Sequence, residues 1–210
     1  FGIVSAPLEA GAGSSFNDHL PHVTGIVQLL PTPELFDHTR NLFPKAGRIG
    51  ALYNPSEANS AKEIKDLKKI LDPMGIALVK VAAHSTSEVP ESIRSLLAKD
   101  VDLVFAMGDN TVANGMPAMI RACQQDNVPM IAEDIALMGT GAVISCAPGP
   151  YSDGRQLAEL MIDHEIGCRV KSVYKLAEIE ESYFEGPLNR SLSAWTRGSV
   201  SASGPSCAPR

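Results

Sequence analysis

No run of residues in this chain approaches the ~18 uninterrupted apolar positions of a membrane-spanning helix. Basic clusters are also missing. Lys and Arg number 18 against 24 Asp and Glu, for a net charge of −6 over 210 residues. That balance excludes the basic stripe of a nucleic-acid surface and makes an anionic membrane a poor partner. Cysteine is scarce: Cys123, Cys146, Cys168 and Cys207 lie far apart, with neither CxxC nor Cys/His ligand spacing. A structural metal, which needs clustered ligands, is therefore not expected. The phosphate-binding patterns GxGxxG and GxxxxGK[ST] are missing, and so are the hydrolase patterns GxSxG and HExxH. Asp37-His38 and Asp163-His164-Glu165 fall in helical stretches, where adjacent side chains diverge and form no relay. No initiator Met or signal peptide opens the chain, so a targeting segment has been removed or the sequence is a fragment.

What the chain does contain is a regular alternation. Hydrophobic residues make up 44% and charged residues 20%, ordinary for a globular protein. Apolar strand-like runs begin near Arg48, Gly75, Val101 and Asn127, about 25–28 residues apart, the repeat of a βα unit with a short loop. Between the first two, Ile64, Leu67, Ile70 and Leu71 mark one face of a helix. A Ser85-Thr-Ser87 cap precedes a helix over 88–98, and Pro117 should break the helix that follows Asn110. Near-continuous apolar strands with amphipathic helices between them predict a parallel sheet covered on both faces. Upstream, residues 1–7 and 23–30 read as short strands and 33–43 as a helix ended by Pro44. Downstream, 138–145 reads as a turn plus strand, 151–166 as a helix and 176–181 as one more strand. Beyond Pro187 periodicity is lost, and residues 187–210 are expected to be a disordered tail.

The strand ends carry the polar residues. Asn54-Pro55-Ser56, Asp109-Asn110 and Glu133-Asp134 would lie along one edge of the sheet if the strands are parallel and adjacent, the edge where open α/β sheets bind ligands. Each cluster could equally be a set of helix caps. Glu133-Asp134 is harder to read that way, because no clear helix follows it. Two carboxylates opposite a helix N-terminus would suit a zwitterion, with amides and dipole toward its carboxylate and acid toward its ammonium.

Tyr53-Asn-Pro-Ser-Glu-Ala-Asn-Ser60, Asp109-Asn-Thr-Val112 and Tyr151-Ser-Asp-Gly-Arg-Gln156 resemble the ABC-transporter substrate-binding proteins of the tryptophan/aromatic amino acid type. His22-Val-Thr-Gly25, Leu42-Phe-Pro-Lys45 and Arg48-Ile-Gly50 fit the same pattern, in order. The resemblance implies an α/β, type I periplasmic-binding-protein-like fold: one complete doubly wound parallel-sheet lobe plus a partial second lobe. Residues 31–140 would form the complete lobe, with a four-stranded sheet over 47–134. Residues 1–30 with 141–179 would form the partial lobe, whose opening βα units precede the start of this chain. The resemblance further implies capture of a small amino-acid-like or carboxylate-bearing solute outside the cytoplasmic membrane (periplasm or cell surface). Delivery would be to ABC permease subunits, with no chemistry, cofactor or metal. Carried over, the ligand-facing residues are Ser5, Tyr53, Asn54, Ser56, Asn59, Ser60, Asp109, Asn110, Thr111, Glu133 and Asp134. The start of the helix at Asn59-Ser60 would take the carboxylate and Asp134 the amine. Glu133 stands where the family has Ser, and Ala6 where it has an acid beside the position of Ser5. Two rivals share the architecture: the ligand-sensing core of a regulator or receptor, and an α/β enzyme.

Overall fold

The computed structural model describes residues 4–21, 23–28, 30–147 and 150–165. In chain order its elements are β1 (Gly13–Ser15), β2 (Asp18–His19), α1 (Thr32–Leu42), β3 (Arg48–Tyr53), α2 (Ala58–Met74) and β4 (Ala77–Ala82). There follow α3 (Val89–Leu97), β5 (Leu103–Ala106), α4 (Asn110–Asn114), α5 (Met116–Gln125), β6 (Met130–Ala132), β7 (Ala142–Ser145) and α6 (Pro150–Glu165). Five strands form one sheet in the order β4-β3-β5-β6-β7, every neighbouring pair parallel.

Alternation along each strand divides the core into two layers. Ile49, Ala51, Leu103, Phe105 and Ile131 face α1 and α2, where Leu35, Phe36, Ile64, Leu67 and Leu71 are buried against them. Leu52, Val104 and Ala132 face α3 and α5, among them Ile93, Leu96, Met119 and Cys123. This is the period-2 pattern of a sheet covered on both sides. Phe36 meets Phe105 edge-to-face at 5.3 Å between ring centroids, both fully buried. Each ring contributes about 1.5–3 kcal/mol through burial alone. Cys123 behaves as a core hydrophobe, and burial, followed by the charge of Asp126, pushes its thiol up to about 12.

Local chemistry sets the element boundaries. α2 ends at Gly75, whose φ of 72° lets its N–H reach the carbonyls of Leu71 and Asp72. Pro117 acts as expected: α4 stops at Asn114 and α5 restarts with the proline in its first turn. The Ser85 cap is different. A short 3₁₀ turn (Thr86–Glu88) precedes α3, and Ser85 bonds Ser87 and Glu88 rather than a helix amide.

The sheet carries one strand more than the four expected. β7 pairs with β6, so Ala142–Ser145 completes this sheet, although the sequence reading places residues from 141 onward in the other lobe. The reason is local. Gly139, at φ 78°, turns the chain, and a Cβ on Gly141 would lie 2.6 Å from Ile120, so the segment runs close against α5 and alongside β6. Upstream, among the described residues, the two expected strands meet at a parallel bridge between Val4 and Val27, while Gly13–Ser15 and Asp18–His19 form a small antiparallel pair. Gln28 Nε2 donates to Asp153 of α6 at 3.1 Å, joining this segment to the last described helix. The expected strand at 176–181 and the tail at 187–210 lie outside the described residues.

Candidate functional site

The loops after β3 and β5 meet in one hydrogen-bonded network built around Asp109. This carboxylate is 1% exposed. Its Oδ2 accepts from the Asn54 backbone N–H at 2.6 Å and the Ser60 hydroxyl at 2.5 Å, and its Oδ1 accepts from the Val112 N–H at 2.8 Å. One side chain thus caps α4, holds the end of β3 and fixes the first turn of α2. Asn54 extends the network. Its Oδ1 accepts from the Ser56 N–H at 2.9 Å, an Asx turn that opens the loop, and its Nδ2 donates to Thr111 Oγ1 at 2.9 Å. Asn59 Nδ2 donates to the Gly108 carbonyl at 2.8 Å.

Glu57, which the sequence reading passes over, occupies the donors at the start of α4. Its Oε2 accepts from the backbone and side chain of Asn110, at 3.1 and 2.7 Å; its Oε1 accepts from the backbone and hydroxyl of Thr111, at 3.0 and 2.6 Å. Burial pulls this carboxyl upward, but the bonds from Thr111 and Asn110 outweigh it and hold the group below the usual range. The start of α4 is therefore doubly occupied by protein acids. α2 stands in contrast, for its N-cap residue, Glu57, makes no side-chain cap bond to it.

Further along the edge, Glu133 and Asp134 separate. Glu133 is buried; its Oε1 accepts from the Thr32 hydroxyl at the start of α1, and its Oε2, like Oε1 of Glu63 from α2, is buried with no hydrogen-bond partner among the described residues. Burial and then the charge of Glu133 push Glu63 up to about 10; Glu133 is raised too, by burial, against the bond from Thr32. Asp134 is exposed, and its Oδ1 caps the 3₁₀ turn Ile135–Leu137 through the Ala136 N–H at 2.8 Å. The premise that nothing after Glu133-Asp134 needs a cap is thus corrected: a single short turn does.

The structure brings Asn54, Ser56, Asn59, Ser60, Asp109, Asn110 and Thr111 together. Tyr53 ends β3 beside them, half-buried, with the Lys80 ammonium 5.6 Å from its ring centroid. Ser5 is half-buried next to the Val4–Val27 bridge, and no hydrogen bond joins it to the network among the described residues. The residues that sequence reasoning missed are Glu57, Glu63 and Thr32. Glu63 left a signal: it falls one turn after Ser60 and one before Leu67, on the buried stripe of α2.

A groove of about 440 Å³ opens to solvent along the first turns of α2. Ala58, Ala61, Lys62, Lys65, Asp66 and Lys69 wall it from the helix, and Glu9 from the opening segment stands among them. Lys62 and Lys69 are drawn to Asp66, each at 2.7 Å. Among the described residues no group of three or more His, Cys, Asp and Glu is placed to hold a metal, and no helix is long and apolar enough to cross a membrane.

The sequence pattern of the family described as ABC transporter substrate binding protein matches residues 2–175. The chain belongs to that family. Its members are binding proteins rather than enzymes. A curated relative, the tyrosine-binding protein of Clostridioides difficile (strain R20291), is 28% identical over 160 residues, 76% of this chain and 46% of the relative. A conserved domain protein from Vibrio cholerae O1 biovar El Tor superposes with a TM-score of 0.73 at 27% identity, covering 81% of this chain and 57% of that one. An ABC domain in complex with L-Trp from Streptococcus pneumonia gives the same TM-score at 23% identity, covering 81% and 59%, and bears on the fold alone. The family member accordingly has an α/β, type I periplasmic-binding architecture, with one full sheet lobe and a partial second. The chain spans about half the length of the relatives it matches.

Proposed function

We propose that this chain belongs to the solute-capturing part of an ABC importer, working outside the cytoplasmic membrane and passing its ligand to permease subunits. The ligand is an amino acid or a similar carboxylate-bearing molecule, with tyrosine the first candidate because a curated relative carries that name. One observation supports this reading above the others. The N-cap side chain of α2 does not serve that helix, and the groove opens along its first turns. The amides and positive dipole end of a 17-residue helix suit a carboxylate, and Lys65 in the same wall adds to the attraction.

In this reading the first turn of α2 at Asn59-Ser60 receives the carboxylate and Asp134 the ammonium, with Tyr53 and the Asn54–Ser56 turn beside the side chain. Asp109, Asn110 and Thr111 position that turn from behind. Ser5 contributes from the opposite lobe. Closure of the two lobes over the ligand would then be driven by its greater affinity for the closed arrangement.

Isothermal calorimetry of the protein, titrated with tyrosine, tryptophan and the corresponding decarboxylated amines, tests the proposal. Heat with the amino acids and none with the amines is expected. Equal binding of amine and amino acid would refute the carboxylate site; turnover of the ligand would refute the transport role.

A further inference from the structure

The start of α1 is tied to the sheet beside a pair of acids, Glu133 buried and Glu63 half-buried, to which the proposed ligand site assigns no role. Glu133 Oε1 accepts from the Thr32 hydroxyl, and Thr32 is the first residue after the segment that leads from the Val4–Val27 bridge into the lobe. The other connection leaves close by: Cys146 directly follows β7, its N–H donates to the Ala132 carbonyl at 3.2 Å, and the charge of Glu133 acts on its thiol. Glu133 therefore sits at the root of both connections.

Glu63 Oε1 and Glu133 Oε2 are buried with no hydrogen-bond partner among the described residues, and the two carboxyls lie close enough to act on each other. Two ionised carboxylates offer only acceptors, so these two oxygens are satisfied together once one of the acids carries a proton. The titratable groups that act on the pair from the surrounding elements are acids: Asp109, from the loop after β5, on Glu63, and Cys146, beside β7, which also feels Glu34 of α1. The Gly108 backbone supplies one compensating bond to Glu63.

We propose that Glu63, Glu133 and Thr32 form a proton-dependent latch on the inter-lobe connection, so that solute capture takes up a proton. The latched arrangement holds one proton between the two acids. When the connection moves and Thr32 leaves, water reaches the pair, the reason for sharing a proton is removed and the proton departs. The latched state binds more protons than the released one in the range between the ordinary glutamate range and the raised value of the buried pair. Linkage then makes latching up to tenfold more favourable for each unit that pH falls within that range. This rests on the solute-capture reading above.

Tyrosine calorimetry at pH 7 in two buffers of different ionisation enthalpy reads the proton directly. Uptake of up to one proton per tyrosine is expected in the parent, and none in Glu63→Gln, whose amide donates to Glu133 at every pH. Tyrosine heats independent of buffer, or an equal uptake in Glu63→Gln, would overturn the latch while leaving the binding function intact. A complete lack of tyrosine heat would instead count against the binding function, and stability then decides the latch. Between pH 5 and 8 the folding equilibrium constant of the parent should fall by up to tenfold per pH unit relative to Glu63→Gln. Parallel profiles would overturn the proposal. Glu133→Gln repeats both measurements should the first variant fold poorly.

Discussion

Asp109 should matter far more to folding than its place among the polar strand ends suggests. Replacing it with Ala strips the acceptor from the Asn54 and Val112 N–H groups and from the Ser60 hydroxyl at once. A lost N-cap costs about 1 kcal/mol, and each hydrogen bond to a charged acceptor about 1.5–3 kcal/mol. Ser60 softens the loss, because its Oγ already accepts from the Asn54 N–H at 3.2 Å and can turn fully toward it. Asp109→Ala should therefore cost about 3–5 kcal/mol, a large share of the ~5–15 kcal/mol that holds a domain together. Asp109→Asn keeps one acceptor oxygen but turns an NH₂ toward groups that are donors, for a loss of about 2 kcal/mol. Ser60→Ala should cost about 1 kcal/mol, and the Asp109→Asn/Ser60→Ala pair less than the sum, since the two share a bond. Urea denaturation followed by circular dichroism, with an unchanged m-value, measures all four variants. An Asp109→Ala protein within 1 kcal/mol of the parent would refute the assignment. So would an Asp109→Asn protein of parental stability that has lost tyrosine binding, for the carboxylate would then serve the ligand and not the loop.

Three further outcomes are expected. Glu57→Gln should remove stability that exists only while the acid is ionised: the folded carboxyl titrates below its unfolded value, so its contribution is full above about pH 4.5 and disappears as pH falls through the folded value. Parent and variant stability curves, compared between pH 3 and 7, should converge at the acid end. Phe36→Ala should cost about 3–5 kcal/mol by leaving a cavity against Phe105, read as a lowered urea midpoint. Gly141→Ala would bring a Cβ within 2.6 Å of Ile120, and the overpacking should lower stability by about 1–3 kcal/mol, read as a fall in Tm; a neutral result would show that β7 can draw back from α5.

Much of this architecture is legible in the residues because the signals are local. The apolar runs around Ile49–Tyr53 and Leu103–Ala106 announce buried parallel strands, and Pro117 announces its break. The convergence of Asn54, Ser60 and Asp109 follows once those strands are set side by side. What escapes is direction and distance. Whether Glu57 turns toward its own helix or across to Asn110 depends on the spacing of two loops 53 residues apart. Glu133 reads as an open acid beside Asp134, yet adjacent residues at a strand end point to opposite sides, so one can go inward to Thr32 while the other caps a turn. Ile135-Ala-Leu137 carries no helix signal, so its need for a cap could not be anticipated. Glu63 sits on the buried stripe of α2, but its partner is an acid 70 positions away, which no local pattern announces.

The arrangement of acids along this edge also bears on what can bind there. Glu57, Glu63, Asp109 and Glu133 all lie near the start of α2 or on it, and four open carboxylates would repel a carboxylate guest. A single unit charge at 4 Å costs about 4 kcal/mol at the effective dielectric of a protein surface. Three features reduce that repulsion. Asp109 is enclosed by three donors, Glu57 is turned to the amides of α4, and a shared proton removes one charge from the buried pair. None of these four carboxylates then caps the backbone amides of α2, and the two acids that line the groove itself, Glu9 and Asp66, stand among Lys62, Lys65 and Lys69. The same proton that ties Thr32 to the lobe thus lowers the negative potential behind the α2 amides, and one ionisation links the hinge to the anion site. Glu63→Gln should for that reason leave the tyrosine affinity at pH 6 nearly unchanged and raise it at pH 8 relative to the parent. A variant weaker than the parent at both pH values would break the electrostatic link.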